Sequence, residues 1–295
     1  MTYTFKVALI QPTSQREREP NTAFVIEQAR VARASGADFI ATPEIVGMFE
    51  PTRARVMEKA RTEADDPSLA AFRALAAELK CWFLVGSLAL RADEPGENRL
   101  ANRSLLIDPA GALAARYDKI HMFDVDIAGD RKYRESESYR PGKRAVLADL
   151  PWGRLGMTVC YDLRFPHLYR ALAQAGADII TIPAAFTRKT GQAHWHVLMR
   201  ARAIETGCFI VAPAQCGDHA EGRQTFGHSL VVAPWGEVLA DGGTEPGMVM
   251  AEIDLARAAE ARRMVPSLSH DRPYELDLSA TVDKPAPPAR RAAGD

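Results

Sequence analysis

The chain repeats itself. Gly36-Ala37-Asp38-Phe39-Ile40-Ala41-Thr42-Pro43 returns as Gly176-Ala177-Asp178-Ile179-Ile180-Thr181-Ile182-Pro183. A helix-spaced segment leads into Cys81-Trp82-Phe83-Leu84-Val85, and a second leads into Cys208-Phe209-Ile210-Val211. Ser104-Leu105-Leu106-Ile107-Asp108-Pro109-Ala110-Gly111 returns as Ser229-Leu230-Val231-Val232-Ala233-Pro234-Trp235-Gly236. Matches in one order mark an internal duplication, so each copy must have a shape that can sit beside its twin. In both halves short continuous apolar strands alternate with helices, the pattern of a sheet covered by helices, and two such halves can bury their free sheet faces against each other. The fold class this implies is α/β, a four-layer α-β-β-α sandwich with an internal pseudo-twofold repeat.

Local signals fill in the halves. Residues 6–11 read as a strand stopped by Pro12. Val25, Ile26, Ala29 and Ala32 recur at helical spacing within 21–35, and Gly36 is a stop signal. Residues 38–42 form a second buried strand closed by Pro43; 68–80 are helical, 81–90 strand, and 104–114 a hairpin turning at Pro109-Ala110-Gly111. An apolar run from Leu155 to Val159 ends on Cys160, and Pro166 opens the next helix. Residues 119–142, dense in charge and aromatic rings, fall outside the repeat and form a candidate active-site loop. Residues 1–278 are expected to form one domain and the Pro/Ala-rich residues 279–295 a tail.

Composition narrows the function. Lysine and arginine number 37 and the acids 38, which leaves a net charge of -1 and no electrostatic footprint for nucleic acid or an anionic membrane. The N-terminal residues lack the basic-then-apolar order of a signal peptide, and no apolar run reaches the roughly 20 residues of a membrane span. A cytoplasmic protein acting on a small molecule is expected. The 4 cysteines form no CxxC pair and no zinc spacing. No Gly-rich phosphate loop, HExxH or GxSxG motif occurs, so no metal or cofactor is expected.

Chemistry concentrates on Cys160. A strand that ends on a cysteine presents a nucleophile, and because the thiolate is the reactive form the cysteine needs a base or a positive field nearby. The repeat aligns the strand before Cys160 with the strand before Pro12, and the strand before Pro183 with the strand before Glu44. Both Glu44 and Cys160 therefore lie at carboxyl ends of sheet strands, where open α/β sheets bind ligands. A buried Glu44 with a raised pKa could take the thiol proton, pass it to a leaving group and later activate water. A helix N-terminal or surface carboxylate is the alternative for it. Lys119 could steady an oxyanion and keep the cysteine thiolate-like; taken alone, a lysine after a hairpin is usually a solvated charge.

The motifs Thr42-Pro43-Glu44, Tyr117-Asp118-Lys119-Ile120-His121 and Val159-Cys160-Tyr161-Asp162-Leu163-Arg164-Phe165-Pro166 stand in the order of the nitrilase, or carbon-nitrogen hydrolase, superfamily. The chain resembles that family from Val7 to about Tyr274. The resemblance implies a Glu-Lys-Cys triad at Glu44, Lys119 and Cys160, a further active-site glutamate at Glu135, and an oxyanion hole from Lys119 and the Tyr161 N–H. It also implies a homodimer. Residues 119–127 and 193–205 are most similar to the branch of deaminated glutathione amidases and omega-amidases, and Ala214-Gln215-Cys216-Gly217 and Gly227-His228-Ser229 resemble the glutathione-type amidases more than omega-amidase. That branch implies Arg164 on a substrate carboxylate, with Phe186 and Thr190 lining the pocket. Pairing with Asp162 is the alternative for Arg164. Ala128-Gly129-Asp130-Arg131-Lys132 departs from the family pattern by added basic charge.

The expected activity is cofactor-free hydrolysis of a small carboxylate-bearing amide through a cysteine thioester, with deaminated glutathione giving 2-oxoglutarate and cysteinylglycine. Rival readings are an omega-amidase on 2-oxo-dicarboxylate monoamides, an N-carbamoyl amino acid amidohydrolase, a nitrilase, or an inactive nitrilase-like partner protein. Other residues have plainer roles. His194 and His196, two apart on a helix, make a poor metal pair. His121 and His228 are expected as loop hydrogen-bonders near the site, Cys81, Cys208 and Cys216 as packed thiols, and Arg200, Arg202 and Glu205 as a helix-surface ion pair or a dimer contact.

Overall fold

The computed structural model describes residues 4–92, 96–128 and 132–277. The expected tail at 279–295 and the basic departure at 129–131 lie outside the described residues. The first half contributes β1 (Thr4–Gln11), α1 (Arg18–Ala34), β2 (Phe39–Ala41), α2 (Arg53–Lys59), α3 (Pro67–Leu79), β3 (Trp82–Arg91), β4 (Leu100–Ile107) and β5 (Leu113–Asp118). The second contributes β6 (Val146–Asp149), β7 (Arg154–Met157), α4 (Pro166–Gln174), β8 (Ile179–Thr181), α5 (Arg188–Thr206), β9 (Phe209–Ala212), β10 (Leu230–Val232), β11 (Val238–Asp241), β12 (Gly247–Asp254) and α6 (Ala256–Met264). α1 begins before Asn21 because Pro20 is tolerated in a first turn, where its missing N–H costs no bond.

The duplication is visible in the strand order. One sheet runs β12-β1-β2-β3-β4-β5 and the other β6-β7-β8-β9-β10-β11. Read side by side, each has an antiparallel edge strand, three parallel strands, then two antiparallel strands. The strand aligned with β1 is thus β7, which carries Cys160 at its end.

Alternation along β1 shows the layers. Val7 and Leu9 pack with Leu155 and Met157 of the other sheet, while Ala8 and Ile10 pack with Val25 and Ala29 of α1 and Phe72 of α3. On the far side Leu168 and Leu172 of α4 and Trp195 and Met199 of α5 cover the second sheet. The order is helices, sheet, sheet, helices, as the repeat required. Phe5 stacks on Trp152 at 4.3 Å between centroids. No helix among the described residues is long and apolar enough to cross a membrane.

Candidate active site

β7 delivers Cys160 into a 3₁₀ turn, Cys160–Arg164, with φ +48° at the cysteine itself. A non-glycine residue in this region is uncommon and costs energy, so the surroundings must hold it there. They do. The Cys160 N–H donates to the Pro183 carbonyl at 2.9 Å. The buried Asp162 carboxylate accepts from the Val159 N–H at 2.8 Å, the Tyr117 hydroxyl at 2.7 Å and the His121 N–H at 3.0 Å. Arg202 of α5 donates to the Leu163 carbonyl at 3.0 and 2.8 Å. Arg202 pairs with Glu205 as expected, but it is buried beneath the cysteine turn rather than lying on a helix surface.

The turn after β2 brings Glu44 to the same place. A Cβ on Gly86 of β3 would lie 1.9 Å from the Thr42 carbonyl, so only glycine lets this turn pass so close. Gln215 Nε2 holds the Glu44 carbonyl at 3.1 Å. Glu44 Oε2 accepts from the Ala185 N–H at 2.9 Å, and Oε1 accepts from Lys119 Nζ and Asn102 Nδ2, each at 2.9 Å. The Cys160 thiol lines the same cavity as this carboxylate, close enough for each to act on the other's charge. Lys119 follows β5 and places Nζ 2.7 Å from Glu135 Oε2. Glu135 in turn accepts from Asn102 at 3.1 Å and from the Phe123 N–H at 2.7 Å. Glu44, Lys119, Cys160 and Glu135, far apart in the chain, are one connected group.

The protons sit differently from the expectation that Lys119 keeps the cysteine thiolate-like. Burial and the neighbouring Glu44 charge push the Cys160 thiol well up, and Lys119 only partly opposes them. Burial would raise Glu44 as well, yet attraction to Lys119 and bonds from Lys119, Cys160 and Asn102 hold it below the usual carboxylate range. Lys119, despite burial, is held well above its ordinary value by Glu135 and Glu44. The resting site therefore holds a neutral thiol beside an ionised Glu44 and an ammonium. Such an arrangement stores its base in the carboxylate rather than in the sulfur.

The group opens on a cavity of about 290 Å³. Glu44, Lys119, Glu135, Cys160, Tyr161, Phe186 and Thr190 all line it. Tyr161 is the second residue of the 3₁₀ turn, where an N–H has no partner within the turn. Thr187 caps α5 and its hydroxyl meets that of Thr190 at 2.7 Å. Arg164 is the exception. It is absent from the wall: its guanidinium lies over the Phe186 ring, 5.3 Å from the centroid, and meets His194 Nδ1 at 3.2 Å. Asp162 is already engaged by the cysteine turn, so it is not the partner of Arg164 either.

Asn102, the Ala185 N–H, Tyr139 and Arg223 also belong to the site and escaped the sequence reading. Asn102 and Ser104 are buried polar residues at alternate positions of β4, the one signal that pointed to a functional face. His228 bonds in a loop as expected, but to Asp241 at 2.8 Å and away from the cavity wall. His196 bonds the same carboxylate at 3.0 Å, and the ligand atoms of His196, His228 and Asp241 lie within 4.8 Å of one another, a set that could hold a divalent transition metal. Cys81, Cys208 and Cys216 are buried, and burial raises each thiol, Cys81 to about 11.

Residues 6–263 match the family model described as carbon-nitrogen hydrolase. The chain is 42% identical to the deaminated glutathione amidase of Yersinia enterocolitica over 267 residues, covering 90% of this chain and 92% of that protein. It is 40% identical to the deaminated glutathione amidase of Homo sapiens, covering 95% of this chain and 85% of that protein. Among solved structures, the C. elegans NitFhit protein superposes with a TM-score of 0.84 at 36% identity, covering 92% of this chain and 66% of that longer one.

Proposed function

This chain belongs to the carbon-nitrogen hydrolase family, and from that premise we propose that it is a cofactor-free thiol amidase acting on deaminated glutathione. The observation that carries the reading is the convergence of Cys160, Glu44 and Lys119 on one cavity, with the Lys119 ammonium 2.9 Å from the Glu44 carboxylate. Glu44 takes the thiol proton as sulfur attacks the amide carbonyl carbon. Lys119 and the Tyr161 N–H receive the charge that develops on oxygen, and Glu135 holds Lys119 in place. When the carbon–nitrogen bond breaks, the proton on Glu44 goes to the departing amine, which leaves as cysteinylglycine. Water, deprotonated by Glu44, then attacks the thioester; 2-oxoglutarate departs and sulfur recovers a proton. Phe186 and Thr190 shape the wall against which the acyl chain packs.

Charge supports an anionic substrate. Among the described residues the cavity wall carries five cationic side chains, Arg53, Lys119, Lys132, Arg134 and Arg223, against the carboxylates of Glu44, Glu50 and Glu135. The test is a substrate panel of deaminated glutathione, 2-oxoglutaramate, an N-carbamoyl amino acid and a nitrile. The expected result is the highest kcat/KM for deaminated glutathione, with a loss of at least about 10³-fold in Cys160→Ala. Faster turnover of the carbamoyl compound or the nitrile would contradict the substrate assignment. The enzyme is further proposed to work in the cytoplasm as a homodimer, since α5 and the turn before β11 expose Val197, Ile204 and Trp235 together.

A further inference from the structure

We propose that Arg223 anchors a carboxylate subsite within the active cavity, so that the enzyme selects amides bearing a carboxylate away from the scissile bond. The inference rests on the thiol-amidase reading of the same cavity. Arg223 lies just before the short strand Gln224–Phe226 and lines the cavity together with Lys119, Glu135 and Cys160. Its guanidinium sits 4.7 Å from the centroid of the Phe49 ring and 5.6 Å from that of Tyr133. One terminal nitrogen donates to the Ala185 carbonyl at 3.3 Å, and the N–H of that same residue holds Glu44. The fork is therefore placed one residue from the general base.

What it lacks is an anion. Among the described residues no carboxylate pairs with Arg223, and its buried Nε has no hydrogen-bond partner. The other arginines of the wall are engaged: Arg134 pairs with Asp126 at 2.9 Å, and Arg53 donates to the Glu137 carbonyl at 3.1 Å. Glu50, the wall carboxylate outside the catalytic group, faces Arg16 at 3.6 Å. A guanidinium held against aromatic rings with no anion beside it is costly until an acceptor arrives, and a planar carboxylate fits its geometry. Phe49 is itself braced by His219, stacked at 4.2 Å, so the platform under the guanidinium is preorganised.

The test compares hydrolysis by the full chain of deaminated glutathione, its C-terminal carboxamide, 2-oxoglutaramate and uncharged butyramide. In Arg223→Gln, kcat/KM for deaminated glutathione is expected to fall about 10- to 100-fold relative to butyramide, chiefly through KM, with partial recovery in Arg223→Lys. A relative loss confined to deaminated glutathione puts the leaving-group carboxylate on Arg223; a loss shared by its carboxamide and 2-oxoglutaramate puts the 2-oxo acid carboxylate there. Relative rates within about twofold of the unaltered enzyme, or butyramide hydrolysis lost in step with the rest, overturn the subsite. Calorimetric titration of deaminated glutathione into Cys160→Ala, with and without Arg223→Gln, reads the subsite without catalysis and is expected to show the same factor. If the unaltered chain hydrolyses none of the four compounds, the amidase reading fails, and the calorimetric pair still decides the subsite.

Discussion

At Cys160 the forces run against a standing thiolate, and Glu44 is the reason as much as burial is. The carboxylate beside the sulfur disfavours a second negative charge, yet that same carboxylate must accept the proton when substrate is in place. This double role separates two quantities that usually move together. Replacing Glu44 with Gln removes the repulsion and leaves Lys119 held by Glu135, so the thiol should ionise at lower pH. Turnover should nevertheless fall by about 10³-fold or more, because the base is gone. Following thiolate absorbance against pH alongside amide hydrolysis checks both. An unshifted or raised thiol titration, or activity that survives, contradicts the assignment of Glu44. The sequence reading had the three residues and misjudged their protons. Residue identity does not reveal which opposing influence is larger when burial, Lys119 and Glu44 act on one sulfur.

At the scale of elements, the two short strands Cys216–Asp218 and Gln224–Phe226 form the ribbon that presents Arg223. His219 ties it to the first half: Nδ1 meets the Ser14 carbonyl at 2.8 Å and Nε2 the Thr225 hydroxyl at 2.7 Å. Burial lowers this imidazole from 6.5 to about 4, with the Ser14 bond opposing and the Arg223 charge assisting. A folded-state value below the unfolded one means the stabilisation is present above pH 6.5 and is lost as pH falls toward 4. Linkage places that loss at about 3 kcal/mol. Urea unfolding at pH 7 and pH 4 should show the unaltered chain losing about that much more than His219→Gln, and equal losses would contradict it. The ribbon was not legible in the sequence, because strands of three residues are too short to show alternation. α2 was missed for a related reason: Val56 is its single buried residue, so it has no apolar stripe. Strands β1, β2, β3, β8 and β9 were legible because most of each is covered on both faces, which makes them largely apolar runs.

For the molecule as a whole, duplication explains why the site lies where it does. Carboxyl ends of strands from two related sheets meet across the sandwich, and each half supplies what the other lacks: the first gives Glu44, Lys119 and Glu135, the second Cys160 and the Ala185 N–H. Resemblance in motif order carried this much before any coordinates, whereas Arg223 could not be placed, since nothing local in Glu221-Gly222-Arg223-Gln224 marks it as a neighbour of the nucleophile. The exposed Val197 and Ile204 on α5 make the assembly testable at the same scale. Sedimentation should give twice the 32.3 kDa chain mass, and Val197→Glu with Ile204→Glu should reduce it to one; a monomer from the start contradicts the dimer. The convergence of sulfur, carboxylate and ammonium is tested most directly by mass spectrometry of enzyme quenched in acid during turnover of deaminated glutathione. The account predicts a 2-oxoglutaryl thioester on the peptide containing Cys160. An unmodified Cys160 peptide, together with undiminished hydrolysis by Cys160→Ala, would contradict it.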